Sequence, residues 1–341
     1  MKAIVCTKYG PPEVLQIKEV EKPTPRENEV CLKIFATAVT ASDCIVRGFK
    51  VPIRFWLPMG LVLGFTKPRK PILGMVLAGE IESVGKDVNR FEKGNQVYTF
   101  NIRRFGTYAE YTCLPENEVM ALKPSNLTYE EAAAVPYGGM LALHFLRKGN
   151  IQSGQNVLVY GSSGAIGTAA VQLARHFGAR VTGVCSAANL ELVKSLGADT
   201  VIDYTQEDFT RNGQQYDLIM AVNGYHPISA YRRALSPNGI YVVAGGTLAQ
   251  FFQGVGQSGQ DGGEVFPGPL GAAGKIDDQG MAPDYRHSPG EHGMWGNGQP
   301  RRPHGFGNPR HQAVAHGQRR LRRRIPGAQP SAAGGQDQVE I

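Results

Sequence analysis

The stretch Val157-Leu-Val-Tyr-Gly161-Ser-Ser-Gly164-Ala-Ile-Gly167 decides the fold. Val157 to Tyr160 is an apolar run, the pattern of a strand buried on both faces. Three glycines follow at three-residue spacing, and Thr168 to Phe177 then reads as a helix. A backbone without side chains can approach a pyrophosphate. The helix N-terminus beyond it offers unpaired N–H groups and a partial positive charge. Gly161, Ser162, Ser163, Gly164, Ala165, Ile166 and Gly167 are therefore candidate dinucleotide contacts. The plainer alternative is a tight strand-to-helix turn without a ligand. The context weighs against it, because strands and helices keep alternating downstream.

That alternation continues through Val181–Val184, a helix over 189–196, then Val201-Ile202, Leu218–Val222 and Ile240–Ala244. It predicts a parallel, doubly wound α/β sheet. In such a sheet an acidic residue about 20 positions past the glycines binds the ribose 2′-hydroxyl of NAD. Here that place reads Val184-Cys185-Ser186-Ala187, with no carboxylate. Ser186 can hydrogen-bond a 2′-phosphate without repelling it, which favours NADPH. No Arg or Lys follows, only Ala188 and Asn189, so NADH stays open. Ser186 and Asn189 are the candidate contacts at this end.

Upstream, residues 1–125 are β-rich. Strand-like runs at Ala3–Val5, Val30–Ile34 and Gly79–Val84 are broken by Gly10-Pro11-Pro12, Pro23-Thr24-Pro25 and Gly85-Lys86-Asp87. Short strands without long helices suggest a barrel-like domain. Thr128-x-x-Glu131 is a capping box ahead of Ala132–Ala134. Pro136 is expected to end that helix, and Gly138–Lys148 to form another. Residues 51–70, with Phe55, Trp56, Leu57 and Phe65 and rimmed by Arg69-Lys70, read either as an apolar substrate mouth or, more simply, as a surface loop.

The bulk composition is that of an ordinary globular chain, 42% apolar and 19% charged. Part of the net charge of +7 sits in one local run, Arg319–Arg324, so it argues little for nucleic-acid binding by the core. The five cysteines are scattered with no Cys-x-x-Cys pair, which disfavours a disulfide framework and fits a reducing cytosol. The N-terminus reads as a strand and not a leader. The most apolar stretch, 55–65, is far short of the roughly 20 residues a spanning helix needs. A soluble, cytoplasmic protein is expected.

Several of these segments together resemble the medium-chain dehydrogenase/reductase superfamily, and within it the zinc-free quinone oxidoreductases. They are Met1-Lys-Ala-Ile-Val, Gly74-Met-Val-Leu-Ala-Gly79-Glu80-Ile-Glu-Ser-Val-Gly85, Gly106-Thr-Tyr-Ala-Glu110-Tyr111, Ala132-Ala-Ala-Val-Pro136-Tyr-Gly138-Gly139, Leu196-Gly197-Ala198-Asp199 and Asp217-Leu-Ile. The resemblance covers residues 1 to about 253. It implies a GroES-like barrel domain over 1–125, a Rossmann domain over 126–253, and an active site in the cleft between them. It places Asn223 beside the cofactor and Gly245 near the nicotinamide. Tyr204 falls where relatives bring a tyrosine to the 2′-phosphate, and reads equally well as a half-exposed strand-end residue.

The same comparison bears on the chemistry. Where zinc-containing relatives hold a Cys and a His, this chain has Thr40 and Met75, and neither supplies a ligand. His144 and His176 read as ordinary helix residues, so no metal is expected. Without one, hydrogen-bond donors must polarise the acceptor, which suits quinones and α,β-unsaturated carbonyls. The expected function is hydride transfer from NAD(P)H to such an acceptor. A non-catalytic dinucleotide-binding protein or an inactive truncated reductase is the alternative. Thr40 and Asp43 sit where relatives place an Asn-x-x-Asp pair, the Thr being a departure. Asp43 could equally brace a loop. Tyr137 could face the nicotinamide or merely pack at the hinge. The partner is a small-molecule substrate; a homodimer stays open, and nucleic acid and membrane are disfavoured.

Residues 254–341 break the pattern. About one-fifth are glycine, with scattered Pro, Gln, His and Arg and no periodicity, which reads as a disordered tail. A native extension would follow the closing elements of the fold and would not replace them. An out-of-frame translation from near codon 254 therefore accounts better for this stretch, and the sheet is expected to lack its last strand.

Overall fold

The computed structural model describes residues 1–49, 53–222, 226–244 and 265–267. The chain opens with a hairpin of β1 (Lys2–Cys6) and β2 (Leu15–Glu19). It continues through β3 (Glu29–Thr37), α1 (Ala41–Gly48) and α2 (Ile53–Leu63) to β4 (Val76–Val84), β5 (Gln96–Phe100), β6 (Tyr111–Pro115) and β7 (Met120–Leu122). The last four strands join β3 in a five-stranded antiparallel sheet of order β6-β3-β4-β5-β7. One expectation needs correction here. The helices of this half are short, but the apolar stretch 55–65 falls largely within one of them, α2, whose interior accommodates Pro58. Trp56, Leu57, Leu61 and Val62 are exposed on it, so the segment is an apolar-faced helix and not an irregular loop.

A single helix, α3 (Tyr129–Lys148), links this half to the next. Its start is the capping box read from sequence: the Thr128 hydroxyl accepts from the Glu131 N–H at 3.2 Å, and the Glu131 carboxylate accepts from the Thr128 N–H at 2.9 Å. Pro136 does not end it. A proline inside a helix costs about 3 kcal/mol. The buried face carries Tyr137, Leu141, Phe145 and Leu146, each contributing roughly 1.5–3 kcal/mol. Packing outweighs the missing hydrogen bond, which is why a local breaker rule fails at this position.

Beyond α3 come β8 (Asn156–Tyr160), α4 (Ala165–His176), β9 (Arg180–Cys185), α5 (Leu190–Ser195), β10 (Thr200–Asp203), β11 (Tyr216–Val222), α6 (Ile228–Ala234), β12 (Leu235–Ala244) and β13 (Val265–Pro267). All the strand pairs in this sheet are parallel, in the order β10-β9-β8-β11-β12-β13. The order reverses between β8 and β11, and that switch point is where doubly wound sheets bind ligands. The expectation that the last strand is missing is corrected: Val265–Pro267 pairs with Tyr241–Val243 of β12. Three residues are too few to show a period-two pattern, which is why no strand is expected there. Otherwise, the proposed tail and its frame lie outside the described residues.

One apolar cluster runs through both halves. It includes Met75, Val76 and Phe100 from the antiparallel sheet, Tyr137, Leu141 and Phe145 from α3, and Val157 and Val159 from β8. Among the described residues, no helix is long and apolar enough to cross a membrane.

Candidate active site

The glycine turn sits at the switch point, and its three glycines have separate reasons to be glycine. Gly161 has φ +77°, and a Cβ there would lie 2.6 Å from the Val222 carbonyl at the end of β11. Gly167 lies against the turn itself, where a Cβ would stand 2.1 Å from the Gly161 carbonyl. Gly164 meets nothing nearer than 3.6 Å, so it is open outward, and no side chain caps the helix it begins. Ala165 is exposed beside it. This is the arrangement a pyrophosphate needs: two glycines hold the turn's shape, and the third leaves room at an uncapped helix N-terminus.

Ser162 has a different role from its neighbours. Its side chain is fully buried, and its hydroxyl donates to the Val184 carbonyl at 3.0 Å. The N–H groups of Gly161 and Ser162 reach the same carbonyl, each at 3.0 Å. Ser162 thus pins the turn to β9 and does not present its hydroxyl outward. Ser163 and Ile166 are half-buried along the turn.

At the ends of β9 and β10 the parallel register sets Cys185 beside Asp203, which brings Ser186 and Tyr204 together. The Tyr204 N–H donates to the Cys185 carbonyl at 3.1 Å, and its ring is 52% exposed. Asn189 donates from its amide to the Ser186 hydroxyl oxygen at 3.0 Å. Asp203 turns its carboxylate back onto Thr205, accepting from its N–H and hydroxyl at 3.0 and 2.9 Å. Three of the sequence-derived candidates, Ser186, Asn189 and Tyr204, therefore gather at one sheet end. Asn223 and Gly245 lie outside the described residues.

The remaining candidates meet at the start of α1. Thr40 caps this helix: its hydroxyl accepts from the Asp43 N–H at 3.3 Å and donates to Asp43 Oδ2 at 2.7 Å. The Thr40 N–H donates to the same oxygen at 2.9 Å. Both side chains are buried. Asp43 Oδ1 has no hydrogen-bond partner among the described residues, and neither does the buried hydroxyl of Tyr108. Burial pushes the Tyr108 phenol well above its ordinary range, and the charge of Asp43 pushes it further. Arg47 Nε, likewise without a partner among the described residues, lies beside them, so three buried polar groups converge at this helix.

Tyr137 stands between this cluster and the glycine turn. Its hydroxyl is 2.9 Å from that of Ser42, which is fully buried on α1, and its ring packs edge-on to Phe100 at 5.8 Å. The next residue, Gly138, packs on the first residue of α4: a Cβ there would lie 2.3 Å from the Ala165 carbonyl. Helix α3 therefore brings the Ser42–Tyr137 hydroxyl pair next to the open N-terminus of α4. The sequence reading did not find Ser42 or Tyr108. Ser42 lies 95 positions from its partner, which no local spacing could reveal. Tyr108 had a signal, its place in the Gly106–Tyr111 segment, but no pattern assigns it a role. Met75 is packed in the core. Among the described residues, no three His, Cys, Asp or Glu side chains cluster as metal ligands.

Comparison with known proteins accords with this geometry. Residues 26–124 match the alcohol dehydrogenase GroES-like domain, and residues 165–254 match the zinc-binding dehydrogenase domain. The chain is 32% identical over 252 residues to a chloroplast envelope quinone oxidoreductase homolog of Arabidopsis thaliana, covering 70% of this chain and 73% of that protein. It is 32% identical over 235 residues to the chloroplastic NADPH-dependent alkenal/one oxidoreductase of the same plant, covering 66% of this chain but only 58% of the relative. The quinone oxidoreductase of Coxiella burnetii superposes with a TM-score of 0.68 at 26% identity, covering 78% of this chain and 82% of that one.

Proposed function

The chain belongs to the medium-chain dehydrogenase/reductase family, in its quinone oxidoreductase-like branch, and on that premise we propose that it reduces quinones or α,β-unsaturated carbonyls with NADPH. The observation that carries the proposal is the contact of Gly138 with the Ala165 carbonyl. It sets a pair of buried hydroxyls beside an uncapped, glycine-cleared helix N-terminus. In this reading residues 1–125 form the substrate half and 126–253 the nucleotide half. A protein of this kind that keeps five scattered free thiols suits the reducing cytoplasm.

The residues at the turn fit a dinucleotide. Ala165 and Ile166 offer the pyrophosphate the first-turn N–H groups, Gly164 leaves the room for it while its own N–H closes the turn onto the Gly161 carbonyl, and Gly161, Ser162 and Gly167 keep the turn in shape. Ser186, Asn189 and Tyr204 take the ribose end. No carboxylate stands at the tip of β9, and Asp203 at the neighbouring strand end turns its carboxylate onto the Thr205 N–H and hydroxyl and away from Ser186, which supports a preference for NADPH. Asn223 and Gly245 belong to the same proposal through the family resemblance. The cofactor, when bound, supplies the hydride.

The protein's part is to hold the acceptor and steady the charge that develops on its oxygen. Tyr137, its hydroxyl shared with Ser42, is the donor toward that oxygen. Thr40 and Asp43 hold the start of α1, and so Ser42, in place. Such donors suffice for acceptors whose conjugation already lowers the barrier.

The test is fluorescence titration with NADPH and NADH, followed by turnover on a panel of quinones and enones. Tight NADPH binding with turnover on either class supports the proposal. Binding without turnover on both classes replaces it with a non-catalytic dinucleotide-binding protein. Binding of neither nucleotide refutes the nucleotide half as well.

A further inference from the structure

Two of the free cysteines face each other across the antiparallel sheet, well away from the site above. Cys31 of β3 and Cys113 of β6 are direct partners in the register. Just beyond the two ends of this register, three positions to either side, backbone hydrogen bonds join even-numbered residues: Glu116 N–H to the Asn28 carbonyl at 3.1 Å, and Ile34 N–H to the Glu110 carbonyl at 2.9 Å. Hydrogen-bonded and non-hydrogen-bonded pairs alternate along an antiparallel ladder, so position 31 is a non-hydrogen-bonded pair. Such pairs bring their Cα atoms to about 4.5 Å and their side chains closest together, within the span that a disulfide bridges.

The Cys31 thiol reaches the Pro23 carbonyl at 3.8 Å and Glu82 Oε2 at 4.0 Å, and it is its pairing with Cys113 that favours one thiolate. A hydrogen bond from Cys113 lowers the Cys31 thiol toward neutrality, with help from the Lys22 ammonium and the Ser83 side chain, against burial and the Glu82 carboxylate. Cys113 is correspondingly raised, chiefly by that shared hydrogen bond, then by burial and by the charges of Cys31 and Glu29. Lys22 is ion-paired to Glu82 and lies 3.9 Å over the Tyr111 ring, beside the pair. β6 is an edge of this sheet and Cys113 is partly exposed, so a small reagent can reach the pair.

We propose that Cys31 and Cys113 form a dithiol site that exchanges with small-molecule disulfides and closes a reversible cross-strand disulfide between β3 and β6. In the first step the thiolate of the pair attacks one sulfur of the reagent, and one small thiol leaves. In the second the other cysteine attacks the protein-bound sulfur, forming the Cys31–Cys113 bond and releasing the second small thiol. One reagent disulfide is reduced to two thiols, which carry away the two protein protons, and the two cysteines are oxidised. Cys6 and Cys185 are buried and stand opposite Leu15 and Asp203 in the register, and Cys44 is exposed and outside the strands.

The experiment treats the full chain with oxidised glutathione, alkylates the remaining thiols, and maps the peptides by mass. The expected result is a loss of two free thiols and one linked peptide pair containing Cys31 and Cys113, reversed by dithiothreitol. Cys31→Ala should instead leave one glutathione trapped on the partly exposed Cys113, because no second thiol is there to expel it. If that variant fails to fold, the linkage map of the unaltered chain still decides. Alkylated, unlinked Cys31 and Cys113 beside glutathionylated Cys44 would overturn the proposal.

Discussion

The glycine turn and the head of α1 hold the two halves of the candidate site, and they are built in opposite ways. The turn is made of backbone: its shape depends on atoms that are absent, since a Cβ at Gly161 or Gly167 would strike main chain. The head of α1 is made of side chains drawn from three segments, Thr40–Asp43, Tyr108 and Tyr137, and depends on which hydroxyl meets which. A backbone site is written in consecutive residues. A side-chain site is assembled by the fold.

The largest test of this contrast is a pair of substitutions three residues apart, at the third and second glycines. Gly167→Val puts atoms against the Gly161 carbonyl and Ser162 Cα, neither of which can yield. It should weaken NADPH binding roughly a hundredfold, about 3 kcal/mol, and lower the melting temperature with it. Gly164→Ala meets nothing nearby and should leave the melting temperature unchanged. It should still weaken NADPH, because the methyl group occupies the ligand's side. Equal loss of stability in both variants would break the assignment of separate roles to these glycines.

Next in size is Ser186→Asp. A carboxylate at the tip of β9 repels a 2′-phosphate and accepts from a 2′-hydroxyl. The ratio of NADPH to NADH affinity should fall about tenfold or more, equivalent to 1.4 kcal/mol. An unchanged ratio would mean that the ribose end lies elsewhere than the Ser186–Tyr204 corner.

The side-chain half is sharpened by Tyr137→Phe, which keeps the ring against Phe100 and removes only the hydroxyl. Turnover should drop about tenfold to a hundredfold while the Kd for NADPH is unchanged. Loss of nucleotide binding with turnover per bound cofactor preserved would instead make Tyr137 a hinge-packing residue.

This division explains what could be read in advance. The βαβ order, the capping box at Thr128 and the place of the glycine turn were legible because each lies within a few consecutive residues, whereas the separate parts of the three glycines depend on what packs against each. The placement of Ser186 near Tyr204 followed once the strands were known to be parallel neighbours. The uninterrupted helix through Pro136 was not legible, because tertiary burial outweighs the local penalty there. Nor was β13, which is three residues long. Ser42 and Tyr108 were missed for a third reason. Their significance lies in distances between segments, and a sequence carries no signal for an unpaired buried hydroxyl.

Tyr108 gives the smallest and most discriminating prediction. Its hydroxyl is buried facing the Asp43 carboxylate without a well-formed hydrogen bond, and Phe fills the same space without burying that hydroxyl. Tyr108→Phe should therefore raise the melting temperature at neutral pH, by the equivalent of about 1 kcal/mol. The pH dependence has a definite sign. The phenol's folded pKa lies above its ordinary value of 10.0, so the unfolded chain loses that proton first as pH rises. The folded state keeps its full share of stability below pH 10.0 and loses it above, and the substitution should lessen that alkaline loss. If the hydroxyl is kept for an acceptor bound beside Asp43, the more stable variant should also turn over more slowly. A variant that is both more stable and fully active would show that the orphan hydroxyl serves neither fold nor chemistry, and would confine the side-chain half of the site to Ser42 and Tyr137.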